Sequence, residues 1–506
     1  MDVGRRLFVA TTLLGGLMHA QPIRALKLHD ALPLAPSIEK TPVRIRSRYG
    51  HFINGKFVDG SDPFPTVNPA TGLPLAQVCS ASAEEVDAAV RAAQQAFTQV
   101  WAPMDPADRG KFLYRIARRL QERSRELAVI ETMDNGKSIR ETRDIDVPLA
   151  AAHFFYYAGW ADKLAYAVPG RSVGPLGVAA QVIPWNFPLL MAAWKIAPAL
   201  ACGNTVVIKP AETTPLSMMA LCEIFEEVGL PPGVVNVVNG AGVTGAALVN
   251  HAIPRKVAFT GSTDVGRIIL KSTAGSGKKL TLELGGKGAN VVFADAALDQ
   301  AVEGTINGIF YNQGHVCCAG SRLLVEESIA DDFVERVKRR VETLRIGDPL
   351  DKNTDIGAIN SSSQLGTIRK YVDIGVDEGA TCWQGAATAV PNNGGFWHLP
   401  TILTGVQQTC TVAREEIFGP VLSVMTFRTP AEAVAKANDS EYGLAAGVWT
   451  EKTSKLFEVA HALNAGVVWA NGYNLFDPAS PFGGVRHSGF GREGGIAGLW
   501  PYLEVR

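Results

Sequence analysis

The chain has 506 residues, of which 47% are hydrophobic and 19% are charged, and its formal net charge is −1. This length allows two or three core-forming units, and the composition is typical of a soluble globular protein without a membrane span. The balanced charge argues against nucleic-acid binding, and the seven scattered cysteines, which form no Cys-x-x-Cys pair, argue against a disulfide framework and a metal site.

The amino terminus resembles an export signal. Arg5 and Arg6 precede an apolar run from Leu7 to Met18, and His19-Ala20 follows as a possible cleavage point. The run is too short to span a bilayer, and the arginine pair resembles a bacterial twin-arginine signal. Residues 1–48 are therefore predicted to be a signal-like extension that ends in an aperiodic linker, and an extension without a targeting role is the alternative.

The folded part is predicted to start with a hairpin at 51–59 and two helices, one begun by a capping box at Ser82 and one capped by Asp105. From residue 177 onward, short apolar strands alternate with helical patterns. This alternation predicts a parallel sheet with crossover helices, a Rossmann-like unit, and a second α/β unit is predicted over 284–480.

Residues 311–322 place two adjacent cysteines, Cys317 and Cys318, in a glycine-flanked turn. Neighbouring cysteines rarely bond to each other, and a free cysteine is more often a small core residue than a nucleophile. Two other positions favour the nucleophile, because Glu283 follows an apolar strand pattern and Asn186 lies in a proline-flanked turn. Thiol, carboxyl and amide are the nucleophile, base and oxyanion donor that acyl transfer through a thioester requires.

Seven motifs, in this order, resemble the NAD(P)-dependent aldehyde dehydrogenase superfamily over roughly residues 50–506. They are Ile-Pro-Trp-Asn-Phe-Pro (183–188), Gly-Asn-Thr-Val-Val-Ile-Lys-Pro-Ala-Glu (203–212), Phe-Thr-Gly-Ser-Thr (259–263), Thr-Leu-Glu-Leu-Gly-Gly-Lys (281–287), the cysteine segment, Glu-Glu-Ile-Phe-Gly-Pro-Val (415–421) and Pro-Phe-Gly-Gly (481–484). The resemblance implies an α/β fold with three parts: a Rossmann-like NAD-binding domain (49–152 and 174–283), a catalytic domain (284–480) and a small, shortened oligomerisation element (153–173 and 481–506).

The resemblance also implies the chemistry. Cys317 is followed by one residue and then Ala-Gly-Ser-Arg, as the family nucleophile is, so an aldehyde would form a thiohemiacetal there and then a thioester. Asn186 would hold the oxyanion, Glu283 would activate the water that releases the acid, and Glu493 matches a family residue associated with a proton path. Relatives that pass the acyl group to coenzyme A lack the carboxylate of Glu283, so hydrolysis without coenzyme A is expected.

NAD is the expected cofactor, with NADP less favoured. Lys209 and Glu212 match family residues on the adenosine ribose, where a carboxylate accepts ribose hydroxyls and repels a 2′-phosphate. The segment 240–245 has the form of a dinucleotide fingerprint, but the family match places Gly242 on the adenine side and gives the pyrophosphate to Gly261 and Ser262. The other implied cofactor residues are Ile183, Pro184, Trp185, Glu416 and Phe418, the last two at the nicotinamide end.

The substrate funnel is expected, on the resemblance alone, to suit an apolar aliphatic or aromatic aldehyde. Its predicted lining is Phe187, Met191, Trp194, Tyr311, Phe476 and Phe482. His315 and Val316 stand where relatives commonly carry Gln and Cys, and the histidine could tune the pKa of the thiol or be an ordinary loop residue.

Three further expectations concern assembly, location and class. Residues 161–175 are shorter than the family's oligomerisation hairpin and the chain stops soon after Tyr502, so a homodimer is expected, and these traits look most like the family-16 group. Because soluble NAD is a cytoplasmic resource, a cytoplasmic location is favoured, with export as the alternative. A cofactor-binding structural protein and a cysteine hydrolase remain the competing functions; the intact Cys317, Glu283 and Asn186 argue against the first, and the lack of a convincing histidine partner argues against the second.

Overall fold

A computed structural model of the protein describes residues 35–505, so the signal-like segment at 1–20 lies outside the described residues. The strands are β1 (Arg48–Tyr49), β2 (His51–Ile53), β3 (Lys56–Val58), β4 (Asp62–Asn68), β5 (Leu73–Ser80), β6 (Val173–Pro175), β7 (Val178–Val182), β8 (Thr205–Lys209), β9 (Val235–Val237), β10 (Lys256–Thr260), β11 (Lys279–Glu283), β12 (Ala289–Val292), β13 (Arg322–Glu326), β14 (Thr381–Gln384), β15 (Thr401–Thr404), β16 (Val421–Phe427), β17 (Ala445–Trp449), β18 (Val467–Ala470), β19 (Gly489–Phe490) and β20 (Leu503–Val505).

The helices surround two of the sheets that these strands form. They are α1 (Ala83–Ala96), α2 (Pro106–Glu122), α3 (Ser124–Asn135), α4 (Ile139–Glu141), α5 (Val147–Ala158), α6 (Leu164–Ala167), α7 (Pro188–Ala201), α8 (Leu216–Glu227), α9 (Gly242–Asn250), α10 (Thr263–Ser272), α11 (Leu298–Phe310), α12 (Ala330–Val341), α13 (Ser362–Asp377), α14 (Thr411–Arg414), α15 (Pro430–Asn438) and α16 (Thr453–Ala462). The predicted caps are confirmed: Ser82 and Glu85 form the capping box of α1, and Asp105 accepts a hydrogen bond from the Ala107 N–H at the start of α2. Among residues 35–505, no helix is long and apolar enough to cross a membrane.

The first large sheet has the order β19-β11-β10-β7-β8-β9-β2-β3. Its five central strands, from β11 to β9, run parallel, as the alternation of strands and helices predicted. Strands β7, β8, β9 and β10 are buried along their whole length, which explains why most of their residues are apolar. Strand β19 joins this sheet antiparallel to β11, so one strand of the predicted oligomerisation element lies against the first sheet.

The second large sheet has the order β14-β15-β16-β13-β12-β17-β18 and is parallel except at β14. Only residues 284–288 separate β11 in the first sheet from β12 in the second. Two small sheets complete the fold, β1-β5-β4 and the antiparallel pair β20-β6. The domain boundaries and the family-16 likeness stay predictions.

Candidate active site

The candidate active site is a cavity of about 230 Å³ that is lined by loops of both large sheets. The first sheet contributes residues that follow the carboxyl ends of β7, β10 and β11, the position where ligands bind in open parallel sheets. The second sheet contributes the loops that lead into β12, β13 and β16. Every predicted site residue lines this cavity except Ile183, Lys209, Glu212 and Gly242.

Cys317 lies in a turn, and the residues that lead into this turn have an unusual backbone conformation. Asn312, Gln313 and Gly314 all have positive φ (49°, 53° and 74°), a region that side chains rarely occupy. At Gly314 the main chain of Gly419 is so close that no side chain would fit. The loop that leads into Cys317 is therefore tightly constrained. Cys317 itself is partly exposed and lines the cavity. A hydrogen bond with Cys318, together with burial, raises the pKa of Cys317 well above its usual range, so the thiol must lose its proton to a base before it attacks.

Asn186 lies in the turn between β7 and α7, which begins at Pro188. Its side-chain Nδ2 donates a hydrogen bond to the His315 carbonyl at 2.8 Å, and its own carbonyl accepts one from Asn312 Nδ2 at 2.8 Å. An amide nitrogen carries two hydrogens, so one N–H of Asn186 remains for an oxyanion in the cavity.

Glu283 is the last residue of β11 and is almost fully buried, and neither of its carboxylate oxygens has a hydrogen-bond partner within the described residues. Burial, and then the nearby carboxylate of Glu493, raise its pKa well above the usual range. A buried carboxyl of this kind, in contact with a cavity, is suited to take a proton from water.

A buried ion pair between Lys195 and Glu493 lies beside Glu283, and Lys195 Nζ also donates to Thr260 Oγ1 at 2.7 Å. Glu493 lines the cavity, as its family match implied, whereas sequence reasoning missed Lys195. The signal was present in the sequence, because Lys195 is the one charged residue in the apolar helix α7 and such a residue needs a buried partner.

The four predicted residues outside the cavity belong to the same sheet edge or its flanking turns. Lys209 ends β8, and its Nζ donates to the carbonyls of Pro210 and Gly240 and lies 3.5 Å from Glu212 Oε2. The side chain of Glu212 is half exposed, and Gly242 begins α9 after the neighbouring strand β9. Ile183 directly follows β7.

These turns fit a dinucleotide. Ser262 caps α10, and its turn follows β10, so free main-chain N–H groups and the helix dipole are available to a phosphate. Val243, which is 85% exposed in the first turn of α9, and Val265, exposed in the first turn of α10, offer apolar surface for a base. The half-exposed Glu212 carboxylate, whose Oε2 lies 3.5 Å from Lys209 Nζ, keeps acceptor capacity for ribose hydroxyls.

At the predicted nicotinamide end of the cofactor site, Glu416 Oε1 accepts a hydrogen bond from the Gly286 N–H at 2.9 Å. Burial raises the pKa of Glu416 to about 7. Phe418 has a positive φ of 57°, and its ring packs against Trp185 and His315 with centroids 5.2 and 5.9 Å apart. His315 is fully buried, and burial lowers its pKa to about 3, so its ring is a neutral packing element in this aromatic group.

The six predicted funnel residues all contact the cavity, and their aromatic rings pack on one another. Sequence reasoning missed Ile145, Leu149 and Leu190, which extend the apolar wall. Tyr311 is the polar member, and its hydroxyl donates to Asp146 Oδ1 at 3.2 Å. Among residues 35–505, no group of His, Cys, Asp and Glu is arranged to hold a metal ion.

Comparison with known proteins gives one consistent result. The model of the "Aldehyde dehydrogenase family" matches residues 57–506. The mitochondrial aldehyde dehydrogenase of Homo sapiens is 45% identical, with 90% of each chain covered, and the mitochondrial aldehyde dehydrogenase family 2 member B4 of Arabidopsis thaliana is 44% identical, with 90% of this chain and 86% of that protein covered. The NAD⁺ complex of aldehyde dehydrogenase from Bacillus cereus has a TM-score of 0.88 and 42% identity, with 91% of this chain and 96% of that chain covered.

Proposed function

This chain belongs to the aldehyde dehydrogenase family, whose general reaction is the NAD-dependent oxidation of an aldehyde to the carboxylic acid, and we propose that it oxidises apolar aldehydes through a thioester on Cys317. A single cavity supports this function, because the Cys317 thiol, the Asn186 amide and the Glu283 carboxyl all line it. The aromatic funnel that continues from these groups favours an aliphatic or aromatic substrate over a charged one.

In the first step, the Cys317 sulfur bonds to the aldehyde carbon, and the thiol proton leaves. The raised pKa of the thiol requires a base, and Glu283, whose carboxyl interacts electrostatically with Cys317, is positioned to accept the proton. The carbonyl oxygen gains negative charge in this step and receives the second N–H of Asn186. The product is a thiohemiacetal on Cys317.

NAD, which the Gly261–Ser262 turn, Glu416 and Phe418 would hold, would supply the hydride acceptor. In the second step, loss of the hydride from the thiohemiacetal carbon would leave a thioester on Cys317. After the proton taken from Cys317 has left Glu283, the free carboxylate removes a proton from water as the water oxygen adds to the thioester carbon. Collapse of this adduct expels the Cys317 sulfur and releases the acid. The buried Lys195–Glu493 pair beside Glu283 offers a route by which the proton can leave the base.

The reaction is tested by NADH formation with a series of aliphatic and aromatic aldehydes in the absence of coenzyme A, with the product identified by mass spectrometry. We expect NADH and the acid in equal amounts, and faster turnover with apolar aldehydes than with aldehyde-acids. Saturable NAD binding without NADH formation from any aldehyde would contradict the function.

We also propose that NAD is preferred over NADP, because Glu212 places a negative charge where a 2′-phosphate would lie. The expected result for Glu212→Gln is that the ratio of kcat/KM for NAD to kcat/KM for NADP falls on the order of 10-fold or more, since the charge repulsion is removed while the shape is kept. Glu303→Gln, a change on the distant α11, serves as the control and should leave the ratio unchanged. An unchanged ratio in Glu212→Gln would mean that another group selects the cofactor.

A homodimer is the assembly we propose. Tyr166 is 75% exposed, and Trp500, also exposed, donates to the carbonyl of Ala167, the residue that follows Tyr166. The adjoining sheet β20-β6 has only two strands and therefore open edges, which a second copy could cover. Light scattering should give twice the chain mass and, for Tyr166→Glu, a shift toward the monomer; a monomeric wild-type protein would contradict the proposal.

A further inference from the structure

The segment from α3 to α4 contacts two of the loops that form the active site, those that carry Asn186 and Cys317. Asn135 Nδ2 donates to the Trp185 carbonyl at 2.6 Å, next to Asn186. Glu141 Oε1 accepts a hydrogen bond from the Asn312 N–H at 2.9 Å, on the approach to Cys317. Glu141 itself does not line the substrate cavity. This segment is therefore placed to control the active site without contacting substrate.

Asn312 connects Glu141 with the oxyanion donor. Its side-chain Nδ2 donates to the Asn186 carbonyl at 2.8 Å and to the His315 carbonyl at 3.3 Å. The same His315 carbonyl accepts the hydrogen bond from Asn186 Nδ2. Asn312 thus holds both the main chain of Asn186 and the acceptor that orients the Asn186 side chain.

The main chain of Asn312 needs an external support. Its φ of 49° and ψ of 40° are left-handed values, which asparagine tolerates better than other side chains but which still cost free energy relative to the common backbone regions. Its N–H is fully buried and has Glu141 as its acceptor. Without that acceptor the buried N–H would be unpaired, and the turn would relax toward another conformation.

We propose that Glu141 is a positioning residue for the oxyanion donor: it fixes Asn312, and Asn312 fixes Asn186. The inference rests on the role proposed above for Asn186. Burial raises the pKa of Glu141 to about 8, and both its acid and its carboxylate form can accept the Asn312 N–H. Glu141→Gln should therefore keep an acceptor for the Asn312 N–H, whereas Glu141→Leu should remove it.

The test is a double-mutant cycle measured by the single-turnover rate of NADH formation with hexanal at saturating NAD. Glu141→Leu should lower this rate by about 10- to 100-fold, because a displaced donor stabilises the transition state poorly. Glu141→Gln should stay within about threefold of wild type, since the amide oxygen still accepts the N–H. In the Asn186→Ala background, Glu141→Leu should change the rate by no more than about twofold, because the group that it positions is already absent.

If Glu141→Leu lowered the single-turnover rate by the same factor in wild type and in Asn186→Ala, the proposal would be overturned and Glu141 would have a purely structural role. Asp134→Leu is the matched control, since Asp134 is also a buried carboxyl that accepts a main-chain N–H, from Leu216 at 2.8 Å, and its other hydrogen bond comes from Thr66, outside the active-site loops. Any rate loss in Asp134→Leu should be the same in both backgrounds.

If Glu141→Leu does not fold, Asn312→Gly tests the second link, from Asn312 to Asn186, because glycine adopts the left-handed conformation freely while both side-chain donations are lost. It too should lower the rate in wild type and leave it nearly unchanged in Asn186→Ala. A wild-type protein that forms no NADH from any aldehyde would refute the proposed function itself, an outcome that is distinct from additive losses in an active enzyme.

Discussion

Cys317→Ala is expected to abolish NADH formation from every aldehyde, with a loss on the order of 10⁴-fold or more, because the covalent intermediates cannot form without the sulfur. NAD binding, followed by fluorescence titration, should be unchanged, since the residues proposed to hold the adenosine and the pyrophosphate lie in the turns that follow β8, β9 and β10. Residual turnover within about 100-fold of wild type would exclude Cys317 as the nucleophile, because such a loss is no more than one removed hydrogen-bond donor costs.

Cys318→Ala is the matched control for this experiment. Cys318 is the adjacent, buried thiol, and its hydrogen bond raises the pKa of Cys317. Its removal should leave the enzyme active and lower the pKa of Cys317, so that the rise of the NADH burst rate with pH moves to lower pH. An inactive Cys318→Ala beside an active Cys317→Ala would reverse the assignment of the two cysteines.

Glu283→Gln is expected to form one equivalent of NADH per subunit and then stop. The amide cannot take a proton from water, so the thioester persists and steady-state turnover falls by about 10²- to 10⁴-fold. The burst should also slow, because Glu283 is the proposed acceptor of the Cys317 proton, but it should slow less than deacylation, because solvent reaches the partly exposed Cys317 and can take that proton. Stopped-flow measurement separates the two phases, and a steady-state loss without a burst would contradict the assignment of Glu283 to deacylation.

The pH dependence of the same variant gives an independent check. The wild-type base works only when it is deprotonated, and burial and Glu493 raise its pKa, so kcat should fall as the pH drops below that raised value. Glu283→Gln removes the titrating group, so the residual kcat of this variant should no longer fall over the same pH range.

Much of the fold could be predicted from the sequence because its strands are short, buried and separated by amphipathic helices. The hairpin predicted at 51–59 corresponds to β2 and β3, and the caps at Ser82 and Asp105 are confirmed. Local patterns decided these elements, since apolar periodicity and caps act within a few residues of the chain.

The order of the strands could not be derived from such patterns. Strand β10 lies between β7 and β11 although β8 and β9 intervene in the chain, and this order brings the Gly261 turn beside Asn186. The positioning residues could not be identified from sequence patterns for the same reason. Glu141 and Asn312 are 171 positions apart, and only the packing of α4 against the cysteine loop brings them together.

The central claim is that an acyl group is held on Cys317 and released by Glu283. The most direct measurement is intact-mass spectrometry and peptide mapping of Glu283→Gln after reaction with hexanal and NAD. A mass increase equal to one hexanoyl group, located on Cys317 and absent from the variant that also carries Cys317→Ala, is the predicted result. No adduct after stoichiometric NADH formation, or an adduct on Cys318, would contradict the claim.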